Sequence, residues 1–240
     1  MDIIKLEQQA MALAAQQFAR IDSITEHNQI KVRQAFRRNR VSETDFADST
    51  GYGYGNPGRD KLDAIFAEVM GAEDALIRPA FVSGTHAITV ALFGILRPGD
   101  EMLCITGKPY DTLVDVITGT NCGSLAEFGV KYTELPLLES GRVDEELLRK
   151  SLESKPKAAY IQKSRGYSLR PTLTNSEIEK LVGIIREISP TSVIMVDNCY
   201  GEFAELSEPA SHSADLRAWI SATSGAVMTG WPLTTVAGKA

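Results

Sequence analysis

The chain has 240 residues, 25 Lys+Arg against 31 Asp+Glu, a net charge of −6, and 43% hydrophobic residues. These are globular proportions, which exclude a disordered, collagen-like or coiled-coil chain. The acidic balance argues against sequence-independent nucleic-acid binding, no apolar run reaches the 18 or so residues of a membrane span, and Met1–Glu7 lacks a basic n-region before an apolar stretch. The expectation is one large or two small domains of a cytoplasmic protein with no membrane or nucleic-acid partner.

Residues 3–38 read as helix, with Ile3, Leu6, Ala10, Leu13, Ala14 and Phe18 at helical spacing and a break expected near Asp22-Ser23. Arg33, Arg37, Arg38 and Arg40 read as a solvated face. Residues 49–59 are glycine- and tyrosine-rich. Gly53, Gly55 and Gly58 formally match G-x-G-x-x-G, but no apolar strand precedes them and Pro57 interrupts them, so a dinucleotide fingerprint is rejected.

From residue 60 strands and helices alternate. A helix over 60–70 ends at Gly71, and Ala75-Leu76-Ile77 reads as a short strand. Ser83-Gly84-Thr85 opens an apolar helix to about Leu96, and Arg97-Pro98-Gly99-Asp100 ends it. Strands are expected at Glu101–Thr106, Val130–Leu137, Ala158–Gln162 and Ser192–Val196. Helices are expected after Tyr110-Asp111-Thr112, over Asp144–Leu152, and from the capping box Thr174–Glu177 to about Ile188. This alternation predicts an α/β fold, a mainly parallel sheet with helices on both faces. In the last thirty residues neither period is evident, and both tryptophans, Trp219 and Trp231, lie there.

Cys104, Cys122 and Cys199 are odd in number and lack C-x-x-C spacing, which favours free thiols. Three histidines without H-E-x-x-H give no metal signature. Two segments carry chemistry. Ser83-Gly84-Thr85-His86 sits at a strand-to-helix junction, where free N–H groups, the helix dipole and two hydroxyls can cradle a phosphate or simply cap the helix. Val193–Asp197 places a carboxylate at the carboxyl edge of an apolar strand, where open α/β sheets put ligands. There Asp197 can bind a metal, a ribose or a protonated ring nitrogen, or cap a turn.

Val196-Asp197-Asn198-Cys199-Tyr200 resembles the strand-end segment of cystathionine/methionine lyase-type enzymes, which use pyridoxal phosphate. Longer strings resemble their aluminium resistance branch, the methionine gamma-lyase-like proteins. These are Gly51-Tyr52-Gly53-Tyr54 through Arg59-Asp60, Val82–Ala87, Arg97–Asp100, Thr106–Thr112, Ser164–Tyr167 and Val196–Phe203. The resemblance spans about residues 40–209. It implies the fold-type I, aminotransferase-like large domain, in a homo-oligomer, without its C-terminal domain. The chain then divides into an N-terminal helical arm (1–50), a partial cofactor domain (51–209) and a divergent tail (210–240).

The resemblance also implies roles. Ser83, Gly84 and Thr85 would bind the cofactor phosphate, and Tyr110 would stack on the pyridine ring. Asp197 would hold the ring nitrogen protonated, and Ser164 would reach the ring hydroxyl or the substrate. Tyr54 and Arg59 would reach the phosphate of a neighbouring subunit. The implied reaction is a carbon–sulfur lyase reaction on a small, sulfur-containing amino acid, by α-proton removal and elimination. Family members carry an imine-forming lysine about two dozen residues after the aspartate. Here no lysine lies between Lys180 and Lys239, and Ile220–Gly225 offers only hydroxyls. The alternative is therefore a non-catalytic member, truncated or frameshifted after about residue 209.

Overall fold

A computed structural model describes residues 2–48, 55–78 and 80–209, together with the backbone of 216–221 and 233–238. Tyr54, expected to reach a phosphate, lies outside the described residues, as does Lys239.

Helix α1 (Ile3–Arg38) is opened by the Asp2 carboxylate, which accepts from the N–H groups of Ile4 and Lys5. Its 36 residues span about 54 Å. The break expected at Asp22-Ser23 does not occur. Neither residue is Gly or Pro and both side chains face solvent, so nothing interrupts the backbone ladder. Among the described residues of α1 only Asn28 and Ala35 are buried. A 3₁₀ turn at Glu43–Phe46 follows.

Helix α2 (Pro57–Met70) starts three residues before the expected position. Pro57 occupies its first turn, and Asn56 caps it by accepting from the Arg59 N–H at 3.1 Å. Gly71 ends it in the left-handed region, φ 68°. The strand expected at Ala75–Ile77 is absent. The Ile77 N–H donates instead to Asp63 Oδ1 at 2.8 Å, and Arg78 pairs with the same carboxylate at 2.8 Å. A side chain has taken the donor that a sheet ladder would need.

Helix α3 (Gly84–Ile95), β1 (Glu101–Cys104), α4 (Asp111–Thr118), β2 (Lys131–Glu134), α5 (Glu145–Leu152), β3 (Ala158–Gln162), α6 (Asn175–Ile188) and β4 (Val193–Asp197) then alternate. The four strands form one parallel sheet in the order β2-β1-β3-β4. Side chains alternate across it. Met102, Cys104, Ala158, Tyr160 and Met195 pack on α3 and α4 with Ile88, Leu92, Leu113 and Ile117. Leu103, Ile105, Ala159, Ile161, Ile194 and Val196 pack on α5 and α6 with Leu148, Leu152, Leu181 and Ile185. Period 2 on the strands thus feeds two cores, and the α/β expectation with helices on both faces holds. Strands β5 (Leu216–Ser221) and β6 (Leu233–Gly238) form an antiparallel pair in the segment where no period is evident in the sequence.

The turn after β4 is sterically defined. Tyr200 (φ 67°) and Phe203 (φ 58°) hold the left-handed region, which bulky residues rarely adopt. At Gly201 a Cβ would lie 2.4 Å from Asn198 Oδ1 and 2.8 Å from Lys163 Cδ, so any larger residue would force one of those side chains to move. Three polar side chains, Asn28, Lys31 and Lys163, hold this turn and the residues after it. Asn28 of α1 donates to the carbonyls of Phe203 (3.2 Å) and Glu205 (3.0 Å). The Lys31 ammonium stands 5.5 Å from the centre of the Phe203 ring. Buried Lys163 donates to Asn175 Oδ1 at 2.5 Å and to Glu205 Oε1 at 2.9 Å.

Lys163→Met keeps the stem volume but removes the ammonium that donates to Asn175 Oδ1 and Glu205 Oε1. The expected cost is about 1–3 kcal/mol, read as a lower urea midpoint with an unchanged slope. Gly201→Ala should lower the midpoint as well, by forcing Asn198 or Lys163 to move.

Candidate active site

The carboxyl ends of β1, β3 and β4 and the N-termini of α3 and α4 meet at one edge of the sheet. Alternation decides which side chains enter it. Asp197, Tyr160 and Gln162 project to the α3–α4 side, whereas Lys163 projects to the α6 side. Gln162 is paired in register with Asp197, which brings the two strand ends level.

Asp197 is fully buried. Its Oδ1 accepts from the Cys199 N–H at 3.0 Å and its Oδ2 from the Tyr160 hydroxyl at 2.8 Å. Burial pushes this carboxyl above the usual range. The Cys199 N–H, the Tyr160 hydroxyl and the Arg170 charge oppose that rise. Tyr160, also fully buried, is pushed well above an ordinary phenol, first by burial and then by the Asp197 charge, so it remains a donor.

Ser83, Gly84 and Thr85 sit where the sequence predicts, at the start of α3. Ser83 caps the helix by accepting from the His86 N–H at 3.0 Å. The N–H groups of Gly84 and Thr85, in the first turn, have no intrahelical acceptor. Thr85 Oγ1 lies 2.7 Å from the Tyr110 hydroxyl and 2.9 Å from Thr112 Oγ1. Tyr110 is the N-cap residue of α4. Its N–H donates to Gln162 Oε1 at 3.1 Å, which ties the start of α4 to the end of β3. The Tyr110 phenol is raised, chiefly by burial and with Asp197 among the charges that raise it. Thr85, Tyr110 and Asp197 are therefore brought to one place.

Other predicted residues fare differently. Ser164 is held near the site by its carbonyl, which accepts from Gln162 Nε2 at 3.0 Å and from Arg170 Nη2. Arg59 lies in the first turn of α2, and among the described residues no hydrogen bond joins it to Thr85, Tyr110 or Asp197. His86 accepts from the Val82 N–H at 3.4 Å and packs edge-on against Phe81. Tyr160, Gln162 and Arg170 escape the sequence reading. Polar residues at alternate positions of a strand that is otherwise Ala-Ala-Ile were the available signal.

The residues fit a phosphorylated pyridine in part. A buried carboxylate calls for a cationic partner such as a protonated ring nitrogen. The first turn of α3, with the Thr85 hydroxyl, offers donors to a phosphate. Tyr110 offers a flat ring between the two. Among the described residues no lysine amine enters this cluster. Lys163, at the end of β3, is committed to Asn175 and Glu205 on the opposite face, and Lys108 is exposed in the loop before α4. Among the described residues no group of three His, Cys, Asp or Glu could hold a metal ion, and no helix is long and apolar enough to cross a membrane.

A parallel sheet with helices on both faces and an acidic strand end facing a helix N-terminus is the arrangement of the fold-type I large domain. The pyridoxal-5'-phosphate dependent protein YhfS of Escherichia coli shares the fold, at 16% identity and a TM-score of 0.68 over 90% of this chain and 55% of that one. Residues 3–237 match the model of the methionine gamma-lyase family, and the chain belongs to that family. It is 47% identical over 201 residues to the uncharacterized protein YnbB of Bacillus subtilis, over 82% of this chain and 48% of that protein. Two solved structures are similar. A carbon-sulfur lyase involved in aluminum resistance from Clostridium novyi is 44% identical, with a TM-score of 0.85 over 91% of this chain and 53% of that one. A structure from Clostridium acetobutylicum, also named for aluminum resistance, is 41% identical, with a TM-score of 0.91 over 99% and 57%. The chain thus spans about half the length of the relatives it matches.

A carboxyl whose pKa in the fold exceeds its unfolded value contributes stability at low pH, and that contribution is lost as pH rises through the folded pKa. Asp197→Asn removes the buried charge at little change of shape. It should melt higher than the wild-type chain near about pH 8, with the gap closing as pH falls toward about 4, in thermal scans across that range.

Proposed function

We propose that this chain is the cofactor-binding part of a pyridoxal-phosphate-dependent carbon–sulfur lyase acting on a small, sulfur-containing amino acid. The observation that carries the reading is the buried Asp197 carboxylate beside Tyr110 and the first turn of α3. Pyridoxal phosphate, when bound, supplies an electron sink for a carbanion at the substrate α-carbon, the chemistry that α-proton removal and elimination require. Gly84 and Thr85 would hold its phosphate with N–H groups and a hydroxyl, and Ser83 would add a second hydroxyl. Tyr110 would stack on the ring, and Asp197 would keep the ring nitrogen protonated. Ser164 would stand near the ring hydroxyl or the substrate. Tyr54 and Arg59 belong to the same reading as donors to a phosphate in a neighbouring subunit of a cytoplasmic homo-oligomer.

A second reading is favoured by a specific observation. No lysine lies between Lys180 and Lys239, and the buried lysine at the end of β3 faces away from Asp197. In that reading the chain binds the cofactor without turnover. A lysine amine would hold the cofactor covalently and move the α-proton, and its loss lowers rates by orders of magnitude.

Titration of the 240-residue chain with pyridoxal phosphate, followed by absorbance, tests the first reading. Saturable binding is expected. Thr85→Val and Asp197→Ala should each weaken it roughly tenfold or more, the weight of a hydrogen bond to a charged group. Absence of saturable binding by the wild-type chain would overturn the reading. Pyruvate and 2-oxobutyrate release from cystathionine or methionine separates the two readings: turnover supports the lyase, and binding without turnover supports the second.

A further inference from the structure

Burial favours the neutral form of Asp197, whereas a protonated ring nitrogen is held best by the charged form. Donors within the chain that favour the charged form therefore bear on the site before any ligand arrives.

The groups facing Asp197 come from each element packed around it. The turn after β4 brings the Cys199 N–H, 3.0 Å from Oδ1. The loop after β3 brings the Arg170 charge, whose Nη2 is itself spent on the carbonyls of Gln162 and Ser164. Strand β1 brings the Cys104 thiol, which burial keeps protonated. The start of α4 brings the Tyr110 phenol, engaged with Thr85. Strand β3 brings Tyr160, 2.8 Å from Oδ2. Among the described residues, Tyr160 is the one whose side chain donates directly to Asp197.

Tyr160 is also placed as a donor should be. It lies within the core that packs on α3 and α4, among Met102, Cys104 and Met195, where a leucine or phenylalanine would fill the space without a polar atom to satisfy. A buried hydroxyl there is costly unless it has a partner, and Asp197 Oδ2 is its partner. A carboxylate oxygen has two acceptor directions, and Tyr160 occupies one of those on Oδ2.

We infer that Tyr160 is a positioning residue of this site: its hydroxyl holds Asp197 ionised and aims Oδ2 toward the cofactor. This rests on the proposed cofactor site for its purpose. The link from Tyr160 to Asp197 is a property of the chain alone, and the two can fail separately.

The test uses the full 240-residue chain with 13C-labelled aspartate, the Asp197 Cγ signal being assigned by its loss in Asp197→Asn. Without cofactor, Tyr160→Phe should raise the Asp197 titration midpoint by about one to two pH units, the weight of one hydrogen bond to a charged group. An unmoved midpoint overturns the inference. Should Tyr160→Phe not fold, 3-fluorotyrosine at position 160 keeps the shape with a more acidic hydroxyl. The midpoint should then fall, and no change overturns the inference. Pyridoxal phosphate titrations over the same pH range give the second readout. In Tyr160→Phe affinity should drop mainly on the acid side, with the acid limb displaced upward as far as the carbon midpoint. A uniform loss at every pH marks simple packing and overturns the positioning role. If the wild-type chain binds no cofactor while the Asp197 midpoint still moves, the Tyr160–Asp197 link stands and the cofactor role falls.

Discussion

The buried carboxylate of Asp197 is the constraint around which the rest of the site is arranged. A charge at the end of a core strand is expensive, so it needs donors from at least two directions. The turn after β4 supplies the Cys199 N–H and β3 supplies the Tyr160 hydroxyl. Each demand then propagates. Tyr160 must lie on the same sheet face as Asp197, which requires the parallel β3–β4 register that pairs Gln162 with Asp197. The turn must fold back sharply, which requires Gly201 and the left-handed Tyr200 and Phe203. The buried carboxyl and the left-handed residues of the turn each cost stability locally.

What surrounds the carboxylate is a division of labour by sheet face. On one side, α3 and α4 present helix N-termini, the Thr85–Tyr110–Thr112 hydroxyls and an apolar core below them. On the other, buried Lys163 and Asn175 join half-buried Glu205 in a polar knot that ties β3 and α6 to the segment after β4. Asn28 and Lys31 extend that knot to α1. The two sides differ by a single residue step along β3, Gln162 facing the site and Lys163 facing the knot. A lysine at this edge therefore serves structure, and the reason is the period of a strand.

Much of this was legible in the sequence. The helices at 84–95, 145–152 and 175–188 and the strands at 101–104, 158–162 and 193–197 follow from hydrophobic period and from caps at Ser83, Asp144 and Thr174. Asp197 and Ser83–Thr85 could be singled out because strand ends and helix starts are where α/β sheets expose chemistry. The misses have separate causes. Ala75–Ile77 looks like a strand, but the distant Asp63 carboxylate captures its N–H. Asp22-Ser23 looks like a cap, but no competing backbone geometry is imposed there and the helix runs through. The strands at 216–221 and 233–238 carry little periodic signal in the sequence, and their antiparallel register is a property of the fold.

The sequence by itself determined the α/β alternation, the membership of an apolar core and the presence of a carboxylate at a strand end, since those are set by local period and residue type. Tertiary structure decided which groups meet. Tyr160 stands 37 positions before Asp197 and Thr85 stands 25 before Tyr110, so no local pattern could pair them. It also decided that Lys163 turns from the site, because side chains of adjacent strand residues must leave a sheet on opposite faces.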